Sequence, residues 1–396
     1  MNSKSIAQFE ERIQLDLIFA EPGDTIKIKP GSYDILGALS IVGKKNIVLK
    51  GSGINSTVLN FKNQLDGAQG LSISKCQNIT LEDFSIKDAK GNAIKCHDTD
   101  GIIFRRIKTF WQRGQGDENA SHGIFALHCH NVLLEYCVTV SATDSGIHIG
   151  QSENIIVRLS EVYNNVTGIV IENSSSVDIY GNNVYRNTAG ILIYSLPDLE
   201  VKKSMRIRIF DNIIKDNNID NLSSIRNTTV NVMTGTGVLL MATEVVEVFD
   251  NTIVDNKTIG TAVVSYFITG EKTKDTQYNP YTSSIYIHDN IYRRKPQLPA
   301  LDNKIGLVLF RHFFKIIPDI IYDGMPDPRY VGREGTTPDS RRLCIADNVN
   351  AKYLNLDLSK NFESWYDPFI ADFGVDDGAC NCFQNRLPKV ELSLIR

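Results

Sequence analysis

Apolar residues along this chain come in short alternating runs closed by Asn, Gly, Ser or Asp, and the runs return in register. Gly146-Ile147-His148-Ile149 recurs as Gly168-Ile169-Val170-Ile171 and as Gly190-Ile191-Leu192-Ile193, with the glycines 22 residues apart both times. Gly123-Ile124 precedes them, and Gly70-Leu71-Ser72-Ile73, Ala93-Ile94-Lys95-Cys96 and Gly237-Val238-Leu239-Leu240 echo the same unit. A second column begins at Asn78, Asn131, Asn154 and Val177. A third holds Tyr180-Gly-Asn-Asn, Phe210-Asp-Asn-Ile, Phe249-Asp-Asn-Thr and His288-Asp-Asn-Ile. Each unit therefore carries three strand-like runs of period two. It is too short for a strand–helix–strand crossover, and a hairpin sandwich would not keep equivalent columns in register. The pattern predicts an all-β fold: a single-stranded right-handed parallel β-helix with three strands per coil.

The same pattern sets the expected boundaries. Residues 1–20 read as a capping helix, with Ile6, Phe9, Ile13, Leu15, Leu17 and Ile18 as its apolar side. Residues 21–298 read as one solenoid. Residues 299–396, where the repeat fades, read as a C-terminal cap or subdomain. Inward Ile, Val and Leu are expected to stack into a core. The pairs Asn182/Asn187, Asn212/Asn217 and Asn251/Asn256 are expected at corners, in left-handed geometry, with amides laddering along the axis. Stretches 109–122, 196–204, 219–234 and 269–283 break the minimal period and are expected to build groove walls.

Composition narrows the function class. The chain has 396 residues, 42 Lys+Arg against 46 Asp+Glu, and a formal charge of −4. That balance argues against a nucleic-acid partner held by a basic surface. No stretch is apolar enough for a transmembrane helix. The N-terminus, with acidic residues throughout, is not a signal peptide; either the protein is cytosolic, or a leader has been replaced by Met. No CxxCH motif for haem occurs, and His97, His128, His130 and His148, the candidates for a metal site, have no recognised ligand spacing, so no cofactor and no metal is expected.

Candidate chemistry lies on the outward positions of the Gly-Ile strand. Successive units present Ser72, Lys95, Phe125, His148, Val170 and Leu192, and two residues further Ser74, His97, Leu127, Gly150, Glu172 and Tyr194. Neighbouring coils are about 4.8 Å apart, so Lys95, His97, Phe125, His148 and Glu172 are expected to share one face. His128 lies at the next turn, and Trp111, Arg113, Asp117, Glu118, Asn119 and His122 in the adjoining insertion. Elimination or epimerisation of a uronate needs a cation on the carboxylate, a base for the neighbouring C–H and a proton donor. Lys95 or Arg113 suits the first role, His148 or His97 the second, Tyr194 or His122 the third, with Trp111 stacking on a sugar ring. A glycoside hydrolase would draw instead on two carboxylates, from Asp144, Glu172, Asp117 and Glu118. The same residues also read as ordinary solvent-facing side chains of a β-helix.

The opening AxPGDTIxIxPGxY with Lys45–Gly53 resembles pectate-lyase-like β-helix proteins. The segments 116–127, 143–158, 166–174, 187–199, 235–242 and 246–256, with Leu343-Cys344 and a Cys shortly before Leu387-Pro388, resemble a bacterial family of parallel β-helix repeat proteins. That resemblance implies a periplasmic or extracellular protein whose gene neighbours one for a c-type cytochrome-like protein. The Asp-Pro-His motif of mannuronan epimerases and the Asp-rich calcium site of pectate lyases are both missing. Cys344 is expected to pair with Cys380 or Cys382; the position before Leu387-Pro388 favours Cys382, and three free thiols are the alternative. Cys76, Cys96, Cys129 and Cys137 read as small core residues. The resulting expectation is an exported protein that binds, and could cleave or epimerise, an acidic polysaccharide. The alternative is a non-catalytic scaffold for a cytochrome-like partner.

Overall fold

The computed structural model describes residues 3–112, 122–220, 232–361, 373–375 and 378–393. The chain forms two compact units. One holds Met1–Val170 and Val390–Arg396; the other holds Ile171–Asn221 and Arg226–Lys389.

In the first unit the repeat becomes three parallel faces. The Gly-Ile face stacks Leu39–Val42, Gln69–Ser74, Asn92–His97, His122–Leu127 and Ser145–Gly150 in parallel register. A second face runs through Thr25–Lys27, Lys45–Lys50, Gln77–Glu82, Asp100–Arg105, His130–Glu135 and Glu153–Arg158. The third runs through Gly31–Asp34, Thr57–Asn60, Ser85–Lys87, Lys108–Phe110, Val138–Val140 and Glu161–Tyr163. Strands alternate side chains in and out, so Leu39, Leu71, Ile94, Ile124 and Ile147 fall in one column and are buried. Ile41, Ile73, Cys96, Ala126 and Ile149 form the next column. The glycine that opens each Gly-Ile run is a packing requirement. A Cβ at Gly146 would stand 2.3 Å from Thr139 Oγ1 and 2.7 Å from Val162 Cγ1.

The N-terminal helix, α1, spans Ser3–Phe19. It buries Phe9, Ile13 and Leu17, spaced by four, while Leu15 and Ile18 are exposed, so its apolar stripe is narrower than the sequence suggests. Its polar side closes the open edge of the stack. Glu10 accepts from the Leu36 and Gly37 amides, and Gln14 both accepts from and donates to the Ser40 main chain. A free strand edge is thereby capped.

The second unit repeats the arrangement. Its Gly-Ile face holds Ala189–Tyr194, Thr236–Met241, Ile259–Val264, Ile320–Tyr322 and Tyr353–Asn355. Its second face holds Ser175–Tyr180, Met205–Phe210, Glu244–Phe249, Ser283–His288 and Leu343–Ala346. Parallel pairing thus continues beyond residue 298, through strands separated by a second helix, α2 (Lys304–Phe313), whose N-cap Asn303 accepts from the Gly306 amide at 2.8 Å. The fading of the repeat after Arg293 reflects this insertion between coils. A disulfide joins Cys344 to Cys382, Cα–Cα 4.9 Å.

Asparagine ladders run inside this unit. Asn182 Nδ2 donates to Asn212, Asn212 to Asn251, Asn251 to Asn290 and Asn290 to Asn348, at 2.9–3.0 Å. A parallel ladder joins Asn187, Asn217 and Asn256. The left-handed residue at each corner is the one before the ladder Asn: Gly181, Asp211, Asp250, Asp289 and Asp347 in one ladder, Arg186, Asp216 and Asp255 in the other. The Asn amides point inward and satisfy main-chain groups of the turn, which solvent cannot reach.

Candidate functional site

The first unit brings Ser72, Lys95, Phe125 and His148 side by side on successive coils of the Gly-Ile face. The Lys95 ammonium lies 6.0 Å from the centre of the Phe125 ring and makes no ion pair among the described residues. His122, opening the strand that carries Phe125, stacks on Phe125 at 4.8 Å and meets His148 edge-on at 4.8 Å. Phe125 and His148 are themselves edge-to-face at 5.1 Å. His122 Nδ1 is 2.7 Å from Ser145 Oγ. Burial, reinforced by His148, holds the His122 imidazole well below its ordinary pKa. Its surroundings therefore favour the neutral form of the imidazole.

Beside this cluster the turn closing each Gly-Ile strand carries one left-handed residue: Lys75, Asp98, His128 and Gln151. The Asp98 carboxylate lies 3.0 Å from His97 Nδ1 and 3.6 Å from His128 Nδ1, so it links imidazoles of successive coils.

Other candidates fall elsewhere. Trp111 is buried, 5 % exposed, and its indole N–H donates to the Ala89 carbonyl at 2.9 Å. Its ring is part of the core and offers no open face to a sugar, which corrects the stacking role. Arg113, Asp117, Glu118 and Asn119 lie outside the described residues. Asp144 is half-buried at the turn before Ser145–Gly150. Glu172 and Tyr194 belong to the second unit, where Glu172 is half-buried and Tyr194 is 7 % exposed. In that unit the outward column of the Gly-Ile face is apolar and covered: Leu192, Leu239, Ala262, Ile321 and Leu354 are all buried. The polar, accessible stretch of this face is therefore the part carrying Lys95, His97 and Phe125.

Three further features escaped sequence reasoning. On the second face of the first unit, Lys50, Glu82, Arg105, Glu135 and Arg158 pair in register with alternating sign. Glu135 lies 2.5 Å from both Arg105 and Arg158; burial pushes its carboxyl up, but the guanidiniums prevail and hold it below the usual range. These charges are mutually neutralised, unlike Lys95. In the second unit Lys203 donates to the Asn279 and Tyr281 carbonyls at 3.0 and 2.6 Å, and burial lowers its pKa to about 7. It clamps the 269–283 insertion. The third is a basic cleft, taken up below. Each depends on pairings between segments whose spacing carries no motif.

Residues 115–270 match the family described as right handed beta helix region. No curated protein matches the chain. Among solved structures it is similar to the A-module of the Azotobacter vinelandii mannuronan C-5 epimerase AlgE6, with 14% identity, 87% of this chain and 90% of that chain covered, and a TM-score of 0.49. It is also similar to endopolygalacturonase I from Stereum purpureum, with 15% identity, 70% and 96% coverage, and a TM-score of 0.47. A hyperthermoactive exopolygalacturonase from Thermotoga maritima follows at 13% identity, 74% and 83% coverage, and a TM-score of 0.42. By its coils and by the match over residues 115–270, this chain carries a right-handed parallel β-helix.

Proposed function

We propose that this is an exported protein that binds an acidic polysaccharide along the outward side of the Gly-Ile face of its first unit, and that this face acts on the uronate it holds. The observation that carries the reading is Lys95, without an ion pair among the described residues, in register with Phe125 and His148 and next to a neutral His122. An ammonium opposite a uronate carboxylate would neutralise it and acidify the adjacent C–H. A neutral imidazole can take that proton, and His148 beside it can hand one to the departing glycosidic oxygen, or back to the opposite face of the carbon. His97 and His128, oriented by Asp98, would line the continuing track. The Cys344–Cys382 bridge supports an oxidising compartment, hence export.

The test is a panel of uronate polymers, followed by absorbance of unsaturated ends, by NMR of uronate configuration and by direct binding. Lys95→Met should weaken binding about tenfold. His122→Gln should remove turnover and leave binding in place. Absence of both turnover and binding across the panel would refute the reading and return the scaffold alternative, with its cytochrome-like partner, to be tested by pull-down.

A further inference from the structure

The second unit contains a cleft of about 400 Å³ lined by Tyr292–Pro296, Lys315–Ile317, Asp319, Asn350 and Lys352. Three chain segments meet there, and main-chain hydrogen bonds fix them to one another. Tyr292 N donates to the Val349 carbonyl, Gln297 N to the Lys315 carbonyl, and the Asp319 and Ile320 amides both to the Lys352 carbonyl. The site is thus built before any ligand arrives.

Its charge is one-sided. Arg293, Arg294, Lys295, Lys315 and Lys352 face a single carboxylate, Asp319, in a chain whose acidic residues outnumber its basic ones. Arg293, Lys315 and Lys352 form no ion pair among the described residues. Lys295 has only a loose one, 3.6 Å from Asp255. The Arg294 side chain is 8 % exposed and its Nε stands 3.6 Å from Asp319 Oδ1, beyond hydrogen-bond distance. Burial lowers the Arg294 pKa and raises that of Asp319, and each opposes the other's shift, so the two neutralise one another and leave Arg293, Lys315 and Lys352 without a counter-charge in the cleft lining. Concentrated like charge is costly unless an anion relieves it. The remaining lining is Asn350, the buried Tyr292 and an apolar part: Pro296, the buried Ile317, and Ile316, which is 61 % exposed at the rim. An exposed apolar side chain among cations suits a ligand with one C–H-rich face and projecting oxyanions. The volume lies at the small end of ligand sites and admits one or two sugar rings.

We propose that this cleft binds a mono- or disaccharide unit bearing oxyanions, either uronate carboxylates or sulfate esters. The proposal is independent of the reading of the first unit. Calorimetric titration of the full chain would use a diuronate, a sulfated disaccharide, a neutral disaccharide and inorganic sulfate as probes. Binding of either charged disaccharide, weakened by added salt and absent for the neutral one, is expected, and which of the two binds identifies the source of the oxyanion. Arg293→Glu with Lys352→Glu, both exposed positions, should cost about tenfold or more in Kd. Lys27→Glu with Lys29→Glu, also exposed, changes the net charge equally and should leave binding intact, as should Lys95→Met. Equal losses from the cleft and control pairs, equal affinity for charged and neutral disaccharides, or binding of inorganic sulfate alone would each overturn the proposal.

Discussion

Asn251 tests whether the amide ladder holds the second unit together. The side chain is fully buried. Its Nδ2 donates to the Ile209 and Phe249 carbonyls and to Asn290 Oδ1 at 2.8–2.9 Å, and its Oδ1 accepts from the Asn212 main-chain N–H and side-chain amide at 3.1 and 2.9 Å. In Asn251→Ala some partners keep alternatives. Asn212 Nδ2 still reaches the Ile179 and Phe210 carbonyls, and Asn290 Oδ1 still accepts from the Asn251 N–H. The Asn212 N–H loses its acceptor. An orphaned buried donor costs about 1–3 kcal/mol, and the void left by the amide adds about 1 kcal/mol. Together these come to about 2–4 kcal/mol, a large share of an ordinary folding free energy. Asn251→Asp should be worse, because it turns a carboxylate toward the two carbonyls. Urea denaturation gives the magnitude. Hydrogen exchange gives the location, since coils touch only their neighbours and protection should collapse first in Met205–Phe210 and Glu244–Phe249. A loss below about 1 kcal/mol, or an Asp variant as stable as the parent, would refute the reasoning.

Two further outcomes follow from the second unit. Asp323 is buried and accepts from the Ser265 and Met325 amides at 2.5 and 3.0 Å, and burial raises its pKa to about 6. A carboxyl with a raised folded pKa contributes stability that is full below its unfolded value near 4 and lost as pH rises through 6. The rise from about 4 to about 6 corresponds to about 3 kcal/mol. Asp323→Asn should therefore gain about that much on the parent between pH 4 and pH 7.5 in paired denaturation curves, and a pH-independent difference would contradict the assignment. The Cys344–Cys382 bridge spans 38 residues, and loop entropy assigns it about 4 kcal/mol. Cys382→Ser should lower Tm and abolish its sensitivity to reductant, whereas a parent Tm indifferent to reductant would show that the bridge does not contribute.

Several elements could be read before any coordinates. The 22-residue return of Gly-Ile with an Asn-led second run determined the coil, because a strand buried on one side must repeat its inward residues at the period of the turn. The same reading located α1 and expected the pairs Asn182/Asn187, Asn212/Asn217 and Asn251/Asn256 to ladder along the axis. Its errors share a cause. Asn was assigned the left-handed corner that the residue before it takes, an Asp in most coils, because Asn and Asp both tolerate it and only the direction of the side chain separates them. Trp111 was read as a sugar platform because an insertion looks exposed, yet its indole is bonded to Ala89 in the core.

What the sequence determined by itself is periodic: the strand period, the inward columns and the residues that share an outward column. What only the tertiary structure decided is aperiodic. It set Lys95 without an ion pair among the described residues while Glu135 was neutralised by two arginines, packed His122 against Phe125 and His148, and gathered Arg293, Lys315 and Lys352 around one cleft. Charge and accessibility arise from segments far apart in the chain, and one-dimensional spacing does not record which of them meet.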